Sequence, residues 1–223
     1  MGIIQKSSSN IFSCSRRLNL ITLLKMKKLI LVLILVFISG CTHQINSING
    51  GNKMTDVILI ISQEGYQPIE FSNTKAEIEK AGLTTQVASI TKDIATAADG
   101  STYNPDLSIE EINSDNYKAI AIIGGPGSPK LLESNSLLEK IKEFNSKNKI
   151  VAAICFSPVI LAKTGILKGK KATVFPNQDL INKLKEAGAI YTAETVTKDN
   201  NIITGNGPDA ATEFGKTIAD SLK

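Results

Sequence analysis

Ile150-Val-Ala-Ala-Ile-Cys155-Phe-Ser-Pro158 decides the fold. Five apolar residues in succession, β-branched at both ends of the run, read as a strand buried on both faces. Pro158 suits the first turn of a helix and cannot sit in a central strand. The chain therefore passes from sheet to helix within three residues, and Cys155 stands at the turn. A strand buried on both faces requires cover on both sides of its sheet, which points to an α/β layered domain.

Working outward, similar runs recur at 57–61, 86–90, 119–123, 172–175 and 202–204. Helical periodicity separates several of them. Residues 75–81 carry Ala76, Ile78 and Ala81 among charges and stop at Gly82. Residues 131–144 place Leu131, Leu137, Ile141 and Phe144 on one stripe, and 179–187 and 209–222 repeat the pattern. Apolar strands alternating with amphipathic helices predict a flavodoxin-like, doubly wound, mainly parallel sheet sandwiched by helices. Residues 92–108 interrupt the alternation, and Asp99-Gly100 and Asn104-Pro105 predict a small hairpin or an excursion from the sheet edge. One domain spanning 54–223 accounts for all of these elements.

The chain has 223 residues, 42% hydrophobic and 21% charged, an ordinary globular composition. Its net charge of +4 suggests a nucleic-acid or anionic partner. The distribution removes that suggestion: residues 1–53 hold seven of the 25 basic residues and no acid, which leaves 18 basic against 21 acidic residues in the domain. A domain of about −3 lacks the electrostatic footing for nucleic acid, and no such partner is expected.

The basic leader has its own reading. Lys25-Met26-Lys27-Lys28 precedes ten apolar residues, Leu29 to Ile38, and then Ser39-Gly40-Cys41. Ten helical residues reach roughly 15 Å, about half a bilayer core, which fits the hydrophobic region of a signal peptide and is too short for a membrane span. Ile38-Ser39-Gly40-Cys41 resembles a bacterial lipobox, so 1–40 is expected to be a signal peptide and Cys41 the lipidated residue. Met26 makes the more ordinary translation start, and 1–25 then reads as an upstream extension. Polar residues 41–53 form the expected lipid-anchored tether, which places the domain at the extracytoplasmic face of the cell membrane.

Cys14 leaves with the leader and Cys41 carries lipid, so Cys155 is left alone. It is either an inert buried thiol or a reactive one. Sites in doubly wound sheets form beyond the carboxyl ends of the strands. Three such ends carry unusual residues: Gln63-Glu64-Gly65 to Glu70, Gly124-Gly125-Pro126-Gly127, and the Cys155 turn. That turn resembles a nucleophile elbow, with the amides of Gly124, Gly125 and Phe156 as candidates to bind an anion or oxyanion. The start of a helix there is expected to lower the thiol pKa.

Three segments, Ile122-Ile123-Gly124-Gly125, Ala153-Ile154-Cys155 through Pro158, and Ile203-Thr204-Gly205-Asn206-Gly207-Pro208 before a helix, are similar in order and spacing to the ThiJ/PfpI superfamily. The resemblance covers essentially all of 54–223. It implies that Glu70, five residues past Gly65, hydrogen-bonds Cys155; the residues alone also allow Glu70 to be a solvated acid in a first helical turn. It implies glyoxalase, deglycase or stress-protective action on small reactive carbonyls or an oxidant, and a homodimer.

The chain departs from the family pattern at two histidine positions, which hold Phe156 and Phe175. Its single histidine, His43, lies in the tether. With no imidazole in the domain, a Cys–His dyad cannot form, so neither peptidase nor amidotransferase activity is expected. The alternative is a non-enzymatic redox sensor or ligand-binding lipoprotein. One histidine and one remaining thiol are too few for a metal centre, and no metal or cofactor is expected.

Overall fold

The computed structural model describes residues 54–223. The expected signal peptide, the lipidation site Cys41, the tether and His43 lie outside the described residues.

In chain order the elements are β1 (Thr55–Ile60), β2 (Glu64–Tyr66), α1 (Pro68–Lys80), β3 (Thr85–Ser89), β4 (Ala95–Ala97), β5 (Thr102–Tyr103), β6 (Leu107–Ser108) and β7 (Tyr117–Ile122). There follow α2 (Ser128–Leu131), α3 (Asn135–Ser146), β8 (Ile150–Ile154), α4 (Pro158–Lys163), β9 (Lys171–Ala172), α5 (Gln178–Glu186), β10 (Ile190–Tyr191), β11 (Val196–Asp199), β12 (Ile202–Gly205) and α6 (Ala211–Asp220). The main sheet has seven strands in the order β11-β12-β8-β7-β1-β3-β6. All neighbours are parallel except the β11–β12 pair at one edge. From β1 the chain moves to β3 on one side, and from β7 to β8 on the other. The switch point therefore lies between β1 and β7, where a crevice opens at the carboxyl ends.

The sheet separates two apolar layers by strict alternation. Ile58, Ile60, Ile120, Ile122, Val151 and Ala153 face one layer with Leu137, Ile141, Phe144 and Ile160. Val57, Leu59, Ala121, Ile123 and Ile154 face the other with Phe71, Ile78, Phe214 and Ile218. Burying each large side chain is worth about 1.5–3 kcal/mol, so both faces hold the central strands in register. The doubly wound, mainly parallel α/β architecture expected from the sequence is present.

Three local expectations are corrected. The helix expected over 75–81 begins seven residues earlier: Gln67 caps it through Oε1 to the Ile69 N–H, Pro68 fills its first position, and Gly82 at φ +83° ends it. The stripe over 131–144 is broken between α2 and α3, because Ser134 caps a new helix by accepting from the Leu137 N–H at 3.2 Å. The run 172–175 is not a strand of the main sheet. Only Lys171–Ala172 pairs, with β10 in a separate two-stranded sheet, and the Phe175 N–H is used instead by Cys155. The excursion over 92–108 does supply a hairpin, β4 with β5, which joins β2 in a three-stranded sheet.

Candidate functional site

β8 ends at Ile154, and Cys155 takes φ +64°, the one left-handed residue among the described residues that is neither glycine nor asparagine. A side chain with a Cβ resists that conformation by roughly 1–2 kcal/mol, so surrounding bonds must enforce it. They do so from both flanks. The Cys155 N–H donates to Gly205 O at 2.9 Å and Cys155 O accepts from the Phe175 N–H at 2.9 Å. Ser157, fully buried, donates from Oγ to Ile123 O at 2.9 Å and ties the elbow to the neighbouring strand. Its role was not read from the sequence, where a lone serine after an elbow carries no distinguishing signal.

Glu70 sits in the first turn of α1 with no solvent exposure, so the solvated alternative is excluded. Its Oε2 accepts from the Gly124 N–H at 2.9 Å, while Oε1 has no partner of good geometry. Glu70 and Cys155 nonetheless perturb each other through a side-chain contact. Burial pushes Glu70 up to about 7, opposed by the thiol and by the Gly124 N–H. A carboxyl at that value carries a proton in much of the population at neutral pH.

The thiol overturns the expected fall. Burial pushes Cys155 up to about 12, helped by the charge and the acceptor oxygen of ionised Glu70 and opposed by the N–H groups of Phe156 and Gly125. α4 has six residues, and the helix start the sequence suggested does not outweigh desolvation. Two of the three causes that raise the thiol belong to ionised Glu70. Both vanish when Glu70 is protonated, so the two groups titrate as one coupled acid.

Of the three amides expected to cradle an anion, those of Gly125 and Phe156 act on the sulfur, whereas that of Gly124 is committed to Glu70. Close approach explains the glycines. A Cβ on Gly124 would lie 2.5 Å from the Cys155 Cβ and 2.7 Å from Glu70 Oε2, and one on Gly125, at φ +121°, would lie 2.5 Å from the Gln67 nitrogen. Backbone bonds from Gln67 N to Gly124 O and from Gly127 N to Gly65 O, both 2.9 Å, lock the loop after β1 against the loop after β7. Glu64 is exposed and paired with Lys130 at 2.8 Å on the rim.

A buried acid, an elbow thiol and two convergent amides can hold one negative charge and move one proton. Comparison with known proteins gives this arrangement a family. The DJ-1/PfpI family profile matches residues 56–221. The chain is 40% identical over 201 residues to an uncharacterized protein of Methanocaldococcus jannaschii, covering 89% of this chain and 98% of that one. It is 30% identical to a deglycase of Pyrococcus abyssi over 68% of this chain and 90% of the relative. The crystal structure of a ThiJ/PfpI domain protein from Brachyspira murdochii superposes with a TM-score of 0.73 at 27% identity, over 76% of this chain and 97% of that one. From its elbow, its carboxyl partner and its matched length, the chain belongs to the DJ-1/PfpI family.

Proposed function

We propose that Cys155 is the nucleophile of a glyoxalase- or deglycase-like reaction on a small reactive carbonyl, with Glu70 as the group that carries the proton. The observation that supports this most is a carboxyl held at about 7 beside an elbow thiol in a domain without histidine. With methylglyoxal as the simplest such substrate, the sulfur attacks the aldehyde carbon and its C–S bond forms as the carbonyl π bond breaks. The Glu70 proton quenches the new alkoxide. The Glu70 carboxylate then takes the hydrogen from that carbon to give an enediolate and returns the proton to the adjacent carbon, while the hydroxyl proton on the first carbon passes to the second oxygen, leaving a thioester. Water cleaves the thioester to lactate and free thiol. One water is consumed, no electrons leave the substrate, and no cofactor is required. The amides of Gly125 and Phe156 are placed to stabilise the oxyanion or the thiolate.

The leader adds location to this reading. Residues 25–41 support a lipoprotein anchored through Cys41 at the extracytoplasmic face, where the domain would protect the envelope from diffusible carbonyls or oxidants. A homodimer is the assembly the family resemblance implies.

The test is lactate formation from methylglyoxal by wild type, Cys155→Ala and Glu70→Gln. Turnover in wild type that both substitutions abolish supports the enzyme. If no lactate forms while Cys155 is still oxidised reversibly by peroxide, the redox-sensing alternative replaces it; the missing histidines favour that alternative.

A further inference from the structure

Residues 41–53 join the domain at Met54, and β1 runs from there toward the crevice. Every strand of the main sheet except β11 runs the same way, so the amino ends of the strands form the end of the domain opposite Cys155, about 20 Å away along a six-residue strand. Charge divides between the two ends. Asp179, Asp209 and Glu213 stand exposed at the crevice end, in first helical turns. Residues 144–178 hold six of the domain's 18 basic residues and none of its 21 acidic ones.

Four lysines gather at the amino end beside β11. The Lys171 N–H donates to Asp199 at 2.9 Å, and Asp199 ends β11 opposite the first residue of β12. The Gly169 N–H donates to Gly188 O and the Ile190 N–H to Lys170 O, both at 2.8 Å, which ties the loop of Lys168 and Lys170 to the end of α5, where Lys185 lies. Lys171 and Ile190 are partners in the β9–β10 register and share a face, whereas the next pair, Ala172 and Tyr191, packs on the core. The outward face is apolar and basic at once: Ile190 is 54% exposed, and Lys168, Lys171 and Lys185 are exposed around it. None of those three lysines forms an ion pair among the described residues; of the acids beside them, Asp199 lies 3.6 Å from Lys170 and Glu186 faces solvent. Favourable placement in a last helical turn explains Lys185 alone, since Lys168, Lys170 and Lys171 lie outside helices.

We propose that the face of Lys168, Lys170, Lys171, Lys185 and Ile190 docks on an anionic phospholipid surface, with the ammonium groups among the headgroup phosphates and Ile190 at the acyl boundary, so that the Cys155 crevice opens away from the membrane. The inference rests on the anchoring reading above for the presence of that surface and is independent of the reaction proposed for Cys155. Residues 42–53 span at most about 40 Å, comparable to the diameter of the domain, and join it at the same end as the lysines. A polyanion of another kind meets the same charges but offers Ile190 nothing apolar to enter.

Site-resolved acylation of the full-length chain tests the face on vesicles of phosphatidylcholine, alone or with about one third phosphatidylglycerol. An amine-reactive ester should label Lys168, Lys171 and Lys185 about fivefold more slowly on the mixed vesicles, while Lys92 and Lys130, away from the face, keep their rates. Molar salt should erase the difference. Lys171→Gln combined with Ile190→Ser, both at exposed positions, should remove most of the protection at Lys168 and Lys185 and leave the alkylation rate of Cys155 unchanged. Equal labelling on the two kinds of vesicle, or protection that survives both substitutions, overturns the face. Protection by polyglutamate or a nucleic-acid duplex equal to that by mixed vesicles, and indifferent to Ile190, overturns it as well. Vesicle protection in a chain whose Cys41 carries no lipid in a bacterial membrane fraction would leave the face standing and count against the anchoring reading alone.

Discussion

Glu70 Oε2 accepts a hydrogen bond from the Gly124 N–H at 2.9 Å, and the space between the acid, the glycine and Cys155 admits no further carbon. The contact joins the first turn of α1 to the end of β7, two elements far apart in sequence, and it holds an ionisable side chain where water cannot reach it. Burial makes Glu70 a weak acid, and the glycine backbone brings it to the thiol.

Gly124→Ala should therefore damage site and fold together. Its Cβ would meet the Cys155 Cβ at 2.5 Å and Glu70 Oε2 at 2.7 Å, and neither neighbour can retreat from a fully packed sheet end. Overpacking of this kind costs about 1–3 kcal/mol. Urea unfolding should show that loss, and carbonyl turnover should disappear. A variant as stable and as active as wild type would mean that the three groups are less tightly packed than described.

The elbow makes a prediction of unusual sign. At most positions glycine is less stable than alanine by about 0.5–1 kcal/mol, because it loses more freedom on folding. At φ +64° the Cβ of alanine keeps roughly 1–2 kcal/mol of strain that glycine relieves. Cys155→Gly should thus match or exceed Cys155→Ala in denaturant midpoint. The ordinary order, with alanine clearly ahead, would show that the turn is not strained.

Much of the layout was legible because it rests on periodicity. The run 150–154 appears as β8 with identical bounds, and Gly82 and Gly188 follow the ends of α1 and α5. The start of α1 was hidden, since Pro68-Ile69-Glu70-Phe71 has no amphipathic rhythm until one knows that Glu70 faces inward. Burial of a carboxylate breaks the polar-outside rule the reading depends on. The thiol failed for the opposite reason: a helix start is visible in sequence, but the burial that outweighs it comes from segments such as those of Gly124 and Glu70 that only folding brings against Cys155. The break at Ser134 and the use of the Phe175 N–H by Cys155 are likewise tertiary events with no local signature.

Stability should depend on pH through Glu70. Its folded pKa of about 7 lies above the ordinary value of 4.5, so the folded state favours the protonated form. The stability this confers is complete below about 4.5 and is lost as pH rises through about 7. The difference corresponds to about 3 kcal/mol at most. Glu70→Gln removes the titration while keeping a neutral group of the same shape, so its stability relative to wild type should improve between pH 5 and 8, a window set by that shift. Parallel stability curves for the two proteins across that range would show that Glu70 titrates as an ordinary surface acid.

The same pair predicts when Cys155 reacts. Fully protonated, the site holds a thiol and a carboxylic acid, and neither attacks an electrophile. As pH rises through about 7 the pair loses one proton, and the resulting single negative charge is shared between the carboxylate and the sulfur. The share on sulfur is fixed by the balance of burial, the Gly125 and Phe156 amides and the Glu70 proton, and it does not change further until the second proton leaves near 12. Alkylation of Cys155 should accordingly rise through an inflection near neutrality and then run flat, at a rate below that of a fully ionised free thiol. Glu70→Gln leaves no carboxylate to exchange the proton with, so the neutral plateau should vanish and the inflection move above the roughly 8.5 of a free thiol, because burial of the sulfur remains. Site-resolved rates between pH 5 and 11 decide the matter. A wild-type profile without a step near 7, rising only at the alkaline end, would separate the two groups and leave Cys155 as a buried core thiol.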